Sequence, residues 1–210
     1  MTRPAEILTG AGIVPVVDIR DPETAPDLAR ALAAGGCQAI EITLRTDAAV
    51  DAIRRVVAAD TGLLVGAGTV LTPAAARDVA EAGATFSVAP GYDPEVADAS
   101  LSAGVPHVPG VATATEVQRC LRAGFTMLKV FPAATVGGPR GVKSLIAPFA
   151  RQHITVMPTG GIDEDNVAAY LALPMVTCVG GSWLTPTHLV DEHRWDAITD
   201  LATQAFKALP

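Results

Sequence analysis

The sequence predicts a parallel (β/α)8 barrel of the TIM type, an α/β fold, and three observations lead to it. Short apolar strand candidates begin near Ile13, Ala39, Leu63, Thr85, Val105, Thr126, Ile154 and Val176. Alanine-rich helical segments separate most of them, with a repeat of just over twenty residues. Eight βα units in a chain of 210 residues favour a closed barrel over an open, doubly wound sheet.

Taken in order, residues 3–11 predict a short leading helix, and Ile13 opens the first strand. Helix starts are signalled by Asp21-Pro22, Thr72-Pro73, Asp93-Pro94, Thr113 ahead of Glu116, and Asp163, since short polar side chains cap the first free N–H groups. Several helices run into glycine, at Gly35-Gly36, Gly83, Gly104 and Gly124. A last helix over about 193–208 closes the ring. No linker, low-complexity tract or long charge run interrupts this order, so residues 1–210 are expected to form one domain.

Composition narrows the function classes. Half of the residues are hydrophobic, enough for a sizeable core. A net charge of -7 argues against nucleic acid or an anionic membrane as partner, but not against a small anion held by local donors. Cys37, Cys120 and Cys178 are widely spaced and fit buried thiols in a reducing compartment. His188 and His193 are the only histidines near ligand spacing, and no metal site is expected. With no apolar run of membrane-spanning length and no signal-peptide pattern, a cytoplasmic protein is expected.

The chain carries 12 arginines and only three lysines, Lys129, Lys143 and Lys207. Lys129 lies in the apolar run Met127-Leu128-Lys129-Val130-Phe131-Pro132. Strand alternation puts Met127, Lys129 and Phe131 on one face, Leu128 and Val130 on the other. Lysine can shed its proton and attack as an amine, which arginine cannot do. The alternative is a snorkelling lysine with a buried stem and a wet head.

The second strand, Ile40 to Thr46, separates Ile40, Ile42 and Leu44 from Glu41, Thr43 and Arg45. In a parallel barrel helices cover the outer face, so the polar set enters the barrel mouth. A solvated polar face, as on an antiparallel sheet, is the alternative, and it fits only if the barrel reading is wrong. Gly66-Ala67-Gly68-Thr69 ends the third strand and Ala89-Pro90-Gly91 the fourth. Thr159-Gly160-Gly161 and Gly180-Gly181-Ser182 end the last two strands, where loops of such barrels bind phosphate through backbone N–H groups; tight turns are the plainer alternative.

These parts fit a retro-aldol reaction. Lys129 would form an imine with a ketone, Glu41 would move protons, and Arg45 with Thr69 would hold a carboxylate.

The motifs EITLRT at 41–46, GAGTV at 66–70, APG at 89–91, LKVFPA at 128–133, PTGGI at 158–162 and GGSWL at 180–184 together resemble the 2-keto-3-deoxy-6-phosphogluconate (KDPG) aldolase family, over nearly the whole chain. The resemblance implies a metal-independent, cofactor-free class I pyruvate aldolase, usually a homotrimer, acting on a phosphorylated 2-keto-3-deoxy acid. By motif, Lys129 resembles the Schiff-base lysine and Glu41 the acid/base residue. Arg45 and Thr69 resemble the pyruvate-binding pair, with Pro90 and Phe131 beside it. Gly161, Gly181 and Ser182 resemble the phosphate site, with Thr159, Gly160 and Gly180 adjoining. The segment 135–140 departs from the usual loop, and His107 stands where an apolar residue is expected. Competing readings are the galactonate epimer or 4-hydroxy-2-oxoglutarate as substrate, a metal-free phosphosugar isomerase, and a non-catalytic phosphosugar or keto-acid binding barrel.

Overall fold

Alternation of side chains gives every strand two buried faces, one toward covering helices and one toward a shared interior. The computed structural model describes residues 4–209. β1 (Gly12–Val17), β2 (Ala39–Thr43), β3 (Leu64–Gly68), β4 (Phe86–Val88) and β5 (His107–Val108) pair in parallel in that order. β6 (Gly110–Val111) continues the fifth barrel position and pairs with β7 (Met127–Val130), which pairs with β8 (Thr155–Pro158). β9 (Cys178–Gly181) pairs with β1, and parallel bridges Val156–Val176 and Thr159–Gly180 close the ring. The expected eight strand positions are all present. The fifth is split at Pro109, which has no N–H to donate but whose carbonyl still accepts from the Lys129 N–H at 2.9 Å.

Helices α1 (Pro4–Leu8), α2 (Ala25–Ala34), α3 (Ala49–Ala58), α4 (Pro73–Glu81), α5 (Pro94–Ser102), α6 (Ala114–Arg122), α7 (Gly138–Ile146), α8 (Val167–Leu171), α9 (Thr187–Asp191) and α10 (Trp195–Lys207) complete the fold. None of the described helices is long and apolar enough to cross a membrane. Thr72 and Asp93 cap α4 and α5 as expected, and Thr113 with Glu116 forms a full capping box on α6. Asp21 instead caps a short 3-10 turn, and α2 starts at Ala25.

Two expected boundaries move. Asp163 does not start a helix. Its N–H donates to Asn166 Oδ1, while Asn166 Nδ2 donates to the Gly161 carbonyl, and these local bonds hold a turn until α8 begins at Val167. The leading helix is shorter than residues 3–11, of which residue 3 lies outside the described residues. It stops at Leu8, and Gly10 and Gly12 follow at positive φ.

The barrel interior is filled by Val14, Ala39, Phe86, Val88, Val108, Met127, Met157 and Cys178, with Leu8 and Ala11 plugging its N-terminal end. The layer between strands and helices contains Ile13, Ile40, Ile42, Leu128, Val130 and Val156. α10 packs on α2, where a Cβ on Gly35 would lie 2.4 Å from the Ala202 Cβ. This contact ties the end of the chain to its beginning.

His107 faces outward from β5 toward α5. Its Nδ1 lies 2.9 Å from Ser87 Oγ, which in turn donates to Ser100 Oγ, while Nε2 has no protein partner. The ring is 1% exposed, and burial pushes its pKa from 6.5 down to about 4. A histidine kept neutral in the fold but free to charge when unfolded contributes stability above about pH 6.5, lost as pH falls toward 4. At ~1.4 kcal/mol per unit the loss is roughly 3 kcal/mol. Glu116, held low chiefly by the Ala112 N–H, also titrates in acid, so a difference between two proteins is the clean measure. His107→Asn is expected to be less stable than wild type at neutral pH. The gap should narrow by roughly 2–3 kcal/mol between about pH 7 and pH 4.5 in urea denaturation. A constant gap would show that His107 does not titrate across this range.

Candidate active site

The faces of β2 decide which side chains reach the interior. Ile40 and Ile42 join the outer layer, so Glu41 and Thr43 point inward, and both are fully buried. On β7, Leu128 and Val130 take the outer layer and Met127 the interior, which turns Lys129 inward as well. β2 and β7 are the second and sixth of eight barrel positions, so they stand opposite one another. Their side chains meet across the barrel, with Lys129 Nζ 3.0 Å from Glu41 Oε1. The lysine side chain is 6% exposed and the glutamate 0%. Glu41 Oε2 is buried and has no protein partner. Room for the carboxylate comes from β3, since a Cβ on Gly68 would lie 2.2 Å from Glu41 Oε1. Beneath the pair, burial pushes the Cys178 thiol up to about 12, with the Glu41 charge adding to the effect.

Phe131, on the same face as Lys129, continues upward. The Lys129 Nζ lies 5.3 Å from its ring centroid, within cation–π range. The Phe131–Pro132 peptide is cis. The ring also lines a cleft of about 730 Å³ at the C-terminal ends of the strands. Arg45, Thr159, Gly160, Gly161, Gly180, Gly181 and Ser182 line this cleft too. Thr159 Oγ1 is buried there without a protein partner.

Not every expected residue lines that volume. Lys129 and Glu41 form a base beneath it, linked to it through Phe131. Thr69 and Pro90, expected beside Arg45, sit at the ends of β3 and β4 outside the cleft lining. Thr69 is held at φ 58, an unusual left-handed conformation for a β-branched residue. Hydrogen bonds on both sides hold it there: the Leu44 N–H donates to the Gly68 carbonyl, and the Val70 N–H to that of Val88. Such strain concentrates at functional sites. The Pro90 carbonyl approaches β6 so closely that a Cβ on Gly110 would lie 2.2 Å from its oxygen.

The glycine pairs have packing reasons of their own. A Cβ on Gly181 would lie 1.7 Å from the Trp183 ring, and one on Gly180 2.4 Å from Thr159 Oγ1. Gly160 and Gly161 both adopt positive φ, 96° and 74°, a reversal that side chains disfavour. Among the described residues no group of three or more His, Cys, Asp or Glu could hold a metal ion.

Residues 5–201 match the family model for KDPG and KHG aldolase, KHG being 4-hydroxy-2-oxoglutarate. The chain belongs to this aldolase family. It is 40% identical over 204 residues to the KHG/KDPG aldolase of Escherichia coli, covering 97% of this chain and 95% of that one. The KDPG aldolase of Legionella pneumophila, solved with pyruvate captured as a covalent carbinolamine intermediate, superposes with a TM-score of 0.92 at 39% identity, covering 97% of this chain and 98% of that one. The Zymomonas mobilis KDPG aldolase, solved with 3-phosphoglycerate, gives 0.89 at 36%, covering 98% and 96%.

Three aspartates line the cleft, Asp18, Asp21 and Asp191; sequence reasoning read Asp21 as a helix start and passed over the other two. Asp18 follows β1 and lines the cleft, accepts from the Thr43 hydroxyl, and lies 3.6 Å from Arg45. The signal was available: Val14 and Val16 are two and four residues earlier, and alternation carries their inward direction to Asp18.

Removing one member of a buried ion pair strands the other, at a cost of about 3–5 kcal/mol. Lys129→Met alone is expected to destabilise the protein on that scale, and Glu41→Gln somewhat less. The double variant should be more stable than additivity of the two singles allows. Urea denaturation of the four proteins checks this, and strict additivity would mean that the two side chains do not interact.

Proposed function

We propose that the protein is a class I aldolase that cleaves 2-keto-3-deoxy-6-phosphogluconate to pyruvate and glyceraldehyde 3-phosphate, and 4-hydroxy-2-oxoglutarate to pyruvate and glyoxylate. The observation that carries this reading is a buried Lys129–Glu41 pair beneath a cleft with polar walls. The Legionella relative, with pyruvate held as a carbinolamine, supports the same chemistry. A homotrimeric assembly, from the family resemblance, accompanies the reading, as does the cytoplasmic location expected from the sequence.

The pair is suited to making an amine. One proton moved along the 3.0 Å hydrogen bond converts ammonium and carboxylate into amine and carboxylic acid. The transfer leaves the net charge of the pair unchanged. The free amine of Lys129 attacks C2 of the keto acid and gives a carbinolamine. Glu41 returns its proton to the departing hydroxyl, water leaves, and an iminium remains. Glu41, again a carboxylate, then takes the proton of the C4 hydroxyl, directly or through a water. The C3–C4 bond breaks, its electron pair flows into the iminium to form an enamine, and the aldehyde departs. Protonation of the enamine carbon and hydrolysis release pyruvate and restore the lysine. Arg45 and Phe131 bound the keto-acid end, with Thr69 and Pro90 behind them. Thr159, Ser182 and the two glycine pairs bound the phosphate end, where the unpartnered Thr159 hydroxyl is a ready donor.

Borohydride reduction in the presence of pyruvate is expected to add a single pyruvate-derived adduct at Lys129, read by intact mass and peptide mapping. Lys129→Arg should give none while remaining folded. An adduct on Lys143, or no adduct on wild type, would overturn the imine route. Ser182→Ala is the matching probe of the far end, because Ser182 is exposed to the cleft and replacing it leaves the packing of Gly181 on Trp183 intact. It should lower kcat/KM for the phosphorylated substrate roughly 10-fold or more, a loss of ~1.4 kcal/mol or more, and leave pyruvate trapping unchanged. Equal values for variant and wild type would move the phosphate site elsewhere.

A further inference from the structure

Asp18 stands where β1 leaves the barrel, on a rim whose two sides differ. On one side β2 brings Thr43 and Arg45; on the other β9 brings Gly180, Gly181 and then Ser182. Asp18 accepts from the buried Thr43 hydroxyl and pairs with Arg45 Nη1 at 3.6 Å, and both contacts use Oδ1. Oδ2 is left to accept from something in the cleft. The carboxylate thus lies between the keto-acid end and the phosphate end. On the aldolase reading, a substrate held at both ends would pass it with the carbons just beyond the scissile bond.

We propose that Asp18 sets the specificity of the aldolase for what lies beyond C4, favouring a hydroxyl-bearing carbon there and disfavouring a carboxylate. This rests on the aldolase reading above. The chemistry is direct. A carboxylate only accepts hydrogen bonds, so a C5 hydroxyl satisfies Oδ2. In 4-hydroxy-2-oxoglutarate C5 is itself a carboxylate, which offers no donor and repels Asp18. The phosphate of the longer substrate is farther along, beside Ser182, so its charge is less affected. Asp18 is a specificity residue in this scheme, and it also positions Arg45.

The two roles separate in one experiment. Both substrates share the 2-keto acid half, so any effect passed through Arg45 cancels in the ratio of their kcat/KM values. In Asp18→Asn, which keeps the shape and can still accept from Thr43, that ratio is expected to move at least about 10-fold toward 4-hydroxy-2-oxoglutarate. A ratio within about 2-fold of wild type overturns the proposal and leaves Asp18 as a support for Arg45 and Thr43 only. Pyruvate trapping at Lys129 in the same preparations shows that the variant is folded. Wild-type protein that forms no imine overturns the aldolase reading itself, and this inference with it.

Discussion

One ion pair across the barrel organises the rest of the molecule. Lys129 and Glu41 are 88 residues apart in sequence and come from opposite walls. Each is affordable in an apolar interior only because the other is there. Their meeting requires a closed ring, because in an open sheet four strand positions would hold the two side chains about 19 Å apart. It also requires β3 to carry glycine beside the carboxylate, and a floor of Phe86, Met127 and Met157 below it. The plug formed by Leu8 and Ala11 shuts the other end of the same column.

Burial divides the site by height, and the division has an energetic meaning. At the base the Lys129–Glu41 side chains are 6% and 0% exposed, and breaking the pair strands a charge. At the rim the Arg45 and Asp18 side chains are 51% and 47% exposed, and a solvated pair of that kind contributes about 0–1 kcal/mol. The rim arginine can therefore exchange Asp18 for another anion at small cost. The base cannot exchange partners without chemistry. On the aldolase reading proposed above, a fixed pair at the base and an exchangeable ion pair at the rim suit an aldol cleavage.

Much of this was legible in the sequence because it follows from alternation. The two faces of Ile40 to Arg45 and the inward lysine come from a period of two, and the eight strand starts from short apolar runs between alanine-rich helical segments. What was not legible depends on neighbours remote in the chain. Nothing local says that Glu41 faces Lys129 rather than Thr43 or Met157; only the closure of eight strands does. The break at Pro109 could be suspected from its missing N–H, but its carbonyl still serves β7, so the barrel continues through it. Asp163 misled because aspartate caps turns as readily as helices, and Asn166 completed the turn first. Asp18 was overlooked because it lies just past the end of a strand, where alternation is usually no longer followed.

The glycine pairs teach a related lesson about how to read small residues. As sequence, Gly160-Gly161 and Gly180-Gly181 point to a phosphate cradle. As structure, they also answer to Trp183, Thr159 and Ala134, each of which occupies the space where a side chain would go. Absence of a side chain reports the nearest neighbour first and a ligand second. The firmer sign of a ligand is a polar atom buried with nothing to bond. Thr159 Oγ1 is such an atom in the cleft, and Glu41 Oε2 is another at its base. A buried oxygen left without a partner costs on the order of 1–3 kcal/mol, so a fold keeps one where something else supplies the bond. Unpartnered atoms also occur away from the cleft, at Thr61, Thr155 and His107, so what sets Glu41 Oε2 and Thr159 Oγ1 apart is their place beside Lys129 and beside the glycine loops.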